Sequence, residues 1–154
     1  MVSTTGVVTG IPTDVRIRAI KNVGTGQCIY PESDGDEAPI VLGPCQLDLT
    51  HLWNIISFGD NIYQLQSAYS QYCIWVHESV GDIAIQESCY PGNPRSNSEF
   101  RTSSSLPSVT NLRSHLHFTD QDKCLDGRGH PTYATLQTCN QNSVSQQWMI
   151  GLDI

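Results

Sequence analysis

The chain has 154 residues, of which 38% are apolar and 15% charged, and its net charge is −7 from 8 basic and 15 acidic residues. So few charges exclude the usual disordered composition and a helical bundle rich in Ala, Glu, Lys and Leu. The acidic balance repels a phosphate backbone, so no nucleic-acid partner is expected, and no apolar run approaches the ~18 residues of a membrane-spanning helix.

Residues 1–14, "MVSTTGVVTGIPTD", read as an N-terminal extension. They lack the positive and long apolar regions of a signal peptide, so the leader of a secreted protein is expected to have been removed. From residue 15 the local grammar is β. "VRIRAI" alternates apolar and polar residues as a half-buried strand does, and "GTG" and "SDGD" supply turns. "IVLGPC" then ends at Cys45, and "HLWNI" places Trp53 eight residues beyond it. "NIYQLQS" alternates again and leads to "CIW" at Cys73. "IAIQESC" ends at Cys89, the turn formers "PGNPRSNS" follow, and "SEFRT" places Phe100 eleven residues past the cysteine. The third stretch runs through "RSHLHFTDQDKCLD", the turn-rich "DGRGHP" and "ATLQTC" to Cys139, with Trp148 in "QQWMI" nine residues on.

These stretches are three copies with a period of about 45 residues. Aliphatic residues stand eight before each first cysteine (Ile20, Leu65, Leu116) and one after it (Ile29, Ile74, Leu125). One copy holds about four short strands and cannot bury its apolar face alone. Three around a pseudo-threefold axis close a barrel with a shared core, which is the β-trefoil. The expected fold is therefore all-β, one domain over 15–154, with repeats at about 15–57, 61–104 and 109–152. Trp53, Phe100 and Trp148 are the expected core anchors, since large aromatics dominate burial. The six cysteines form successive pairs spaced 17, 16 and 15 residues apart: Cys28 with Cys45, Cys73 with Cys89, Cys124 with Cys139. This reads as three disulfides made in an oxidising compartment, against the alternative of six buried thiols.

The sequence resembles the ricin B-type (R-type) lectin family over residues 15 to about 152. That family's repeats carry Cys-x-Asp near the start, a second cysteine, and Gln-x-Trp near the end. Only the third repeat has both "CLD" and "QQW"; the first has "CIY" and "HLW", the second "CIW" and "SEF". The resemblance implies a carbohydrate-binding lectin with its sugar site in the third repeat. Asp126 would accept two adjacent hydroxyls through charge-assisted bonds, and Gln146, with Asn140 or Asn142 nearby, would both donate and accept. The family's stacking ring often lies two residues before the second cysteine. Gln137 stands there, and Tyr133 or His130 would substitute from the adjoining loop. Asp126 before Gly127 also fits a turn. Galactose-type sugars are the ligands the family implies. Tyr30 and Trp75, with Tyr69 and Tyr72 near the latter, form possible secondary binding positions, or ordinary packing.

No catalytic constellation, cofactor or metal site is expected. Two histidines, His115 and His117, do not make a structural zinc site. The expected location is extracellular. The main alternative is a non-catalytic cell-binding subunit of a multi-subunit toxin, like the A and C subunits of cytolethal distending toxin, with partner subunits. A trefoil protease inhibitor presenting Arg95 in "YPGNPRSNSEF" is a further rival.

Overall fold

A computed structural model of the protein describes residues 17–77, 79–89, 97–115 and 122–151. The N-terminal extension, Arg95, Leu116 and His117 lie outside the described residues. Alternation sets the strands. In β5 (Trp53–Ser57), Trp53 and Ile55 are buried while the residues between and after them are partly or fully exposed, and β2 (Ile20–Asn22) and β14 (Trp148–Ile150) bury every second residue. The remaining strands are β1 (Ile17–Arg18), β3 (Cys28–Pro31), β4 (Ile40–Gly43), β6 (Ile62–Ser67), β7 (Cys73–Trp75), β8 (Ile85–Glu87), β9 (Phe100–Thr102), β10 (Ser108–Thr110), β11 (Leu112–Ser114), β12 (Lys123–Asp126) and β13 (Thr135–Thr138).

A closed ring of antiparallel pairs forms the barrel: β1 with β5, β5 with β6, β6 with β9, β9 with β11, β10 with β14, and β14 with β2. The ring closes because β1 and β2 are one strand broken at Ala19, and β10 and β11 one strand broken at Asn111. At each break the chain changes partner. Closure removes exposed edges. Three hairpins, β3–β4, β7–β8 and β12–β13, cap one end. They meet through a cycle of backbone hydrogen bonds. The N–H of Ile40 donates to the carbonyl of Ala84 (2.9 Å), Ala84 to Ala134 (2.9 Å), and Ala134 back to Ile40 (3.0 Å). Each of these residues stands five before the second cysteine of its repeat, so the cycle marks the pseudo-threefold axis.

Trp53, Phe100 and Trp148 are fully buried in one core cluster, as their spacing predicts. Each tryptophan also satisfies its indole N–H, on the carbonyl of Ile29 (2.9 Å) and of Leu125 (3.0 Å), the residue after the first cysteine. All six cysteines are paired as expected, with S–S distances of 2.07, 2.00 and 2.02 Å. Closing loops of these lengths stabilises by about 3 kcal/mol each on the chain-entropy model.

One alignment is corrected. The ladder sets Lys21 opposite Cys28, Gln66 opposite Cys73, and Arg113 opposite Cys124. The third-repeat counterpart of Ile20 and Leu65 is therefore Leu112, fully buried like them, and not Leu116. The connection from β11 to β12 is four residues longer than its equivalents, and counting back from the cysteine misses that insertion.

Candidate functional site

Cross-strand partners share a face of a hairpin, as do residues two apart on one strand. The pairs Cys124–Gln137 and Asp126–Thr135 therefore place Asp126 and Gln137 on one face of β12–β13. By the same register Tyr30 shares a face with Gly43, and Trp75 with Glu87.

In the third repeat Asp126 is 6% exposed and both its oxygens are engaged. Oδ1 accepts the backbone N–H of Arg128 (2.8 Å), which is the turn duty that Asp before Gly suggests, and Oδ2 accepts Gln146 Nε2 (3.0 Å). Gln146 is presented by a 3₁₀ turn, Val144–Gln146, that leads into β14. Its amide also donates to the carbonyl of Thr138 (2.9 Å) and accepts the N–H of Asn140 (2.7 Å). Every polar group of the side chain is used, and Gln146 ties Asp126 to the segment after β13. Gly127 is required here because a Cβ would lie 2.6 Å from the buried Asn22 side chain, whose amide bonds the Ser145 carbonyl at 2.7 Å. Gln137 lies over Gly129, which has φ +101°, and its amide donates to Thr135 Oγ1 (2.9 Å). A side chain at position 129 would collide with that amide.

Tyr133 is held differently. Its ring stacks on His130 at 4.9 Å, and its hydroxyl donates to Glu32 of the first repeat at 2.7 Å. That bond to a carboxylate holds the phenol above its ordinary pKa. The fold thus brings Asp126, Gln146 and Asn140 together, sets Gln137 on the same hairpin face as Asp126, and commits Tyr133 to a contact between repeats.

The first repeat replaces the acid–amide pair with rings. Tyr30 and His51 occupy the positions of Asp126 and Gln146, with ring centroids 4.0 Å apart. Tyr30 lies across Gly43, whose Cβ would meet the phenol oxygen at 2.6 Å. His51 Nδ1 lies 2.8 Å from Asp48 Oδ1, and hydrogen bonds from Thr50 and then His51 hold the Asp48 carboxyl below its ordinary range. In the second repeat the acid and the ring have exchanged strands: Trp75 stands where Asp126 stands, and Glu87 where the family's ring is expected. Trp75 meets His77 edge-on at 5.0 Å. Glu87 has carboxylate oxygens within 4.8 Å of Asp36 and Glu37. Burial, then the Asp36 carboxylate, pushes the Glu87 carboxyl above its ordinary range. The family pattern alone does not point to Glu87 or Gly43. Aligning the residue two before each second cysteine, which gives Gly43, Glu87 and Gln137, is the signal that finds them.

The family model of the ricin-type beta-trefoil lectin domain matches residues 16–148. No curated protein matches the chain. Among solved structures it is similar to ThreeFoil, a designed threefold-symmetric protein, with 21% identity and a TM-score of 0.73 over 92% of this chain and 100% of that one. It is similar to a chain of the cytolethal distending toxin from Actinobacillus actinomycetemcomitans, with 14% identity and a TM-score of 0.66 over 88% and 90% of the two chains. The Polyporus squamosus lectin, bound to a human-type influenza-binding epitope, matches with 15% identity and a TM-score of 0.67 over 86% of this chain and 47% of that one. This chain therefore spans about half of the fungal lectin, and at such identities the likeness is one of fold. Among the described residues no helix is long and apolar enough to cross a membrane.

Proposed function

The chain belongs to the ricin-type β-trefoil lectin domain family, a non-catalytic carbohydrate-binding domain, and we propose that its sugar site is the Asp126 face of the third repeat. The observation that supports this reading is the 3.0 Å bond from Gln146 to Asp126, which fixes the carboxylate before any ligand arrives. A carboxylate oxygen has two acceptor directions. Gln146 and Arg128 take one on each oxygen, which leaves one on each for adjacent sugar hydroxyls. Bonds to a carboxylate this desolvated are stronger than in water. Gln137 offers amide contacts from the same hairpin face, and Asn140 from the segment that Gln146 holds. The position of the family's stacking ring holds an amide here, so affinity at this one site is on the order of millimolar to tens of micromolar. Multivalent display then supplies the avidity. Galactose-type glycans on cell-surface glycoproteins, glycolipids or polysaccharide are the ligand class, encountered outside the cell, where the disulfides persist. The chain itself carries no catalytic role in this reading.

The test is a glycan array on the oxidised protein beside Asp126→Asn, with circular dichroism confirming the fold of both. Loss of signal by about tenfold or more supports the site. Unchanged binding moves the site off the Asp126 face.

A second reading is a non-catalytic cell-binding subunit of a multi-subunit toxin. Its support is the fold shared with the distending-toxin chain over most of both lengths, and the replacement of the acid by Tyr30 and Trp75 in two repeats. Those rings would then contact partner subunits. Co-purification with a catalytic subunit decides for it, and a chain that binds glycans without one decides against.

A further inference from the structure

The structure assigns a second saccharide-binding site to a groove in the third repeat that adjoins the Asp126 face, shares Asn140 and Gln146 with it, and does not include Asp126. Two connected hollows, of about 690 and about 240 Å³, share Asn111, Asn140 and Gln141. They lie between the break that separates β10 from β11 and the segment running from Thr138 to Gln147. The larger falls within the ~300–1,000 Å³ of ordinary ligand pockets.

The first repeat closes the place that the third repeat opens. Asn111 is the counterpart of Ala19, because each precedes the equivalent buried aliphatic, Leu112 or Ile20. Gln147 is the counterpart of Leu52, because each precedes the anchor tryptophan. In the first repeat Ala19 and Leu52 pack with Cys28, Cys45 and Ala68 into a small apolar cluster that closes the equivalent place. In the third repeat both closing residues are amides, and the place is an open polar groove.

The lining chooses the ligand. Asn111, Asn140, Gln141, Asn142 and Gln147 are all uncharged, and each primary amide both donates and accepts. An apolar ligand would need an apolar wall, and Val109 and the disulfide-bonded Cys139 are the apolar side chains among the described residues lining the groove. An anion would need surplus positive charge. Arg113, at the wide end, lies 3.2 Å from Asp122 and is balanced by it. A neutral ligand dense in hydroxyl or acetamido groups, as a saccharide is, matches this surface. With no ring to stack on, hydrogen bonds to the hydroxyls carry the affinity.

The double substitution Asn111→Ala with Gln147→Leu installs the first repeat's own closing residues and tests the groove without touching Asp126, Asn140 or Gln146. The experiment is a glycan array of the wild type, Asp126→Asn, this double variant and Gln141→Ala, with thermal melting to verify folding. The expected result is at least one glycan whose binding survives Asp126→Asn. The double variant and Gln141→Ala each weaken that signal by about tenfold or more, and signals dependent on Asp126 stay within about twofold. If every signal is lost in Asp126→Asn and none changes in the groove variants, the groove inference falls and the Asp126 site stands. If all signals persist in Asp126→Asn and vanish in the groove variants, the groove stands and the Asp126 reading falls. A wild type that binds no glycan overturns both.

Discussion

Gln146 Nε2 donates to Asp126 Oδ2 at 3.0 Å, joining the end of β12 to the turn before β14 across twenty residues of sequence. The two positions lie two past a cysteine and two before a tryptophan, and their side chains meet because the 3₁₀ turn before β14 packs beneath β12. With bonds to Thr138 and Asn140 as well, Gln146 is a bracket that holds the site's walls. Gln146→Ala removes all three bonds and leaves a buried carboxylate short of a donor, a loss of about 2–4 kcal/mol. Urea unfolding should show the lowered midpoint, and glycan binding should fall with it. A variant that keeps wild-type stability would make the bracket unimportant.

Tyr30 and Gly43 form a matched pair in the first repeat, since the phenol lies where a Cβ at position 43 would sit. Gly43→Ala is therefore an overpacking change that costs about 1–3 kcal/mol. In a Tyr30→Ala background the same change should cost close to nothing. A double-mutant cycle from thermal unfolding measures this coupling. Equal costs in both backgrounds would place the strain elsewhere.

The contrast between these repeats shows what the sequence can reveal. The trefoil is legible because cysteines and aromatics recur at nearly fixed offsets, and short-range spacing survives inside a hairpin. Leu116 misled because an insertion lies between the offset's two ends; only pairing across the ladder identifies Leu112. Asp126 and Gln146 are legible as a pair, since both sit at fixed distances from landmark residues. The engagement of Tyr133 with Glu32 is not, because it joins residues 101 apart through the packing of separate repeats. The opened groove at Asn111 is hidden for a similar reason: it appears only when residues of three strands are superposed on their counterparts.

Glu87 gives the chain a pH-dependent term. Its folded pKa is raised above the ordinary 4.5 by burial and by Asp36 and Glu37. The contribution of the protonated form is full below that value and is lost as pH rises through the raised folded pKa. Glu87→Gln keeps a neutral hydrogen-bonding group and removes the charge. Its melting temperature should equal the wild type's near about pH 4 and exceed it near about pH 7. A gap that does not grow with pH would show that burial and the neighbouring carboxylates do not raise the Glu87 carboxyl.

Gln86 takes, fully buried, the position three before the second cysteine that Leu42 and Leu136 hold in the other repeats. Its amide donates to the carbonyls of Ser33 (2.9 Å) and Gly35 (2.6 Å) and accepts Ser70 Oγ (2.7 Å), so a polar side chain in the core ties a first-repeat loop to the second repeat. Two effects oppose each other on substitution. Losing three bonds costs about 0.5–1.5 kcal/mol each, whereas burying a leucine returns about 1.5–3 kcal/mol. Gln86→Leu should therefore stay within about 1 kcal/mol of the wild type, while Gln86→Ala, which loses the bonds and leaves a void, should fall by about 3 kcal/mol. Denaturant midpoints rank the three proteins. If leucine is as damaging as alanine, the hydrogen bonds outweigh the packing.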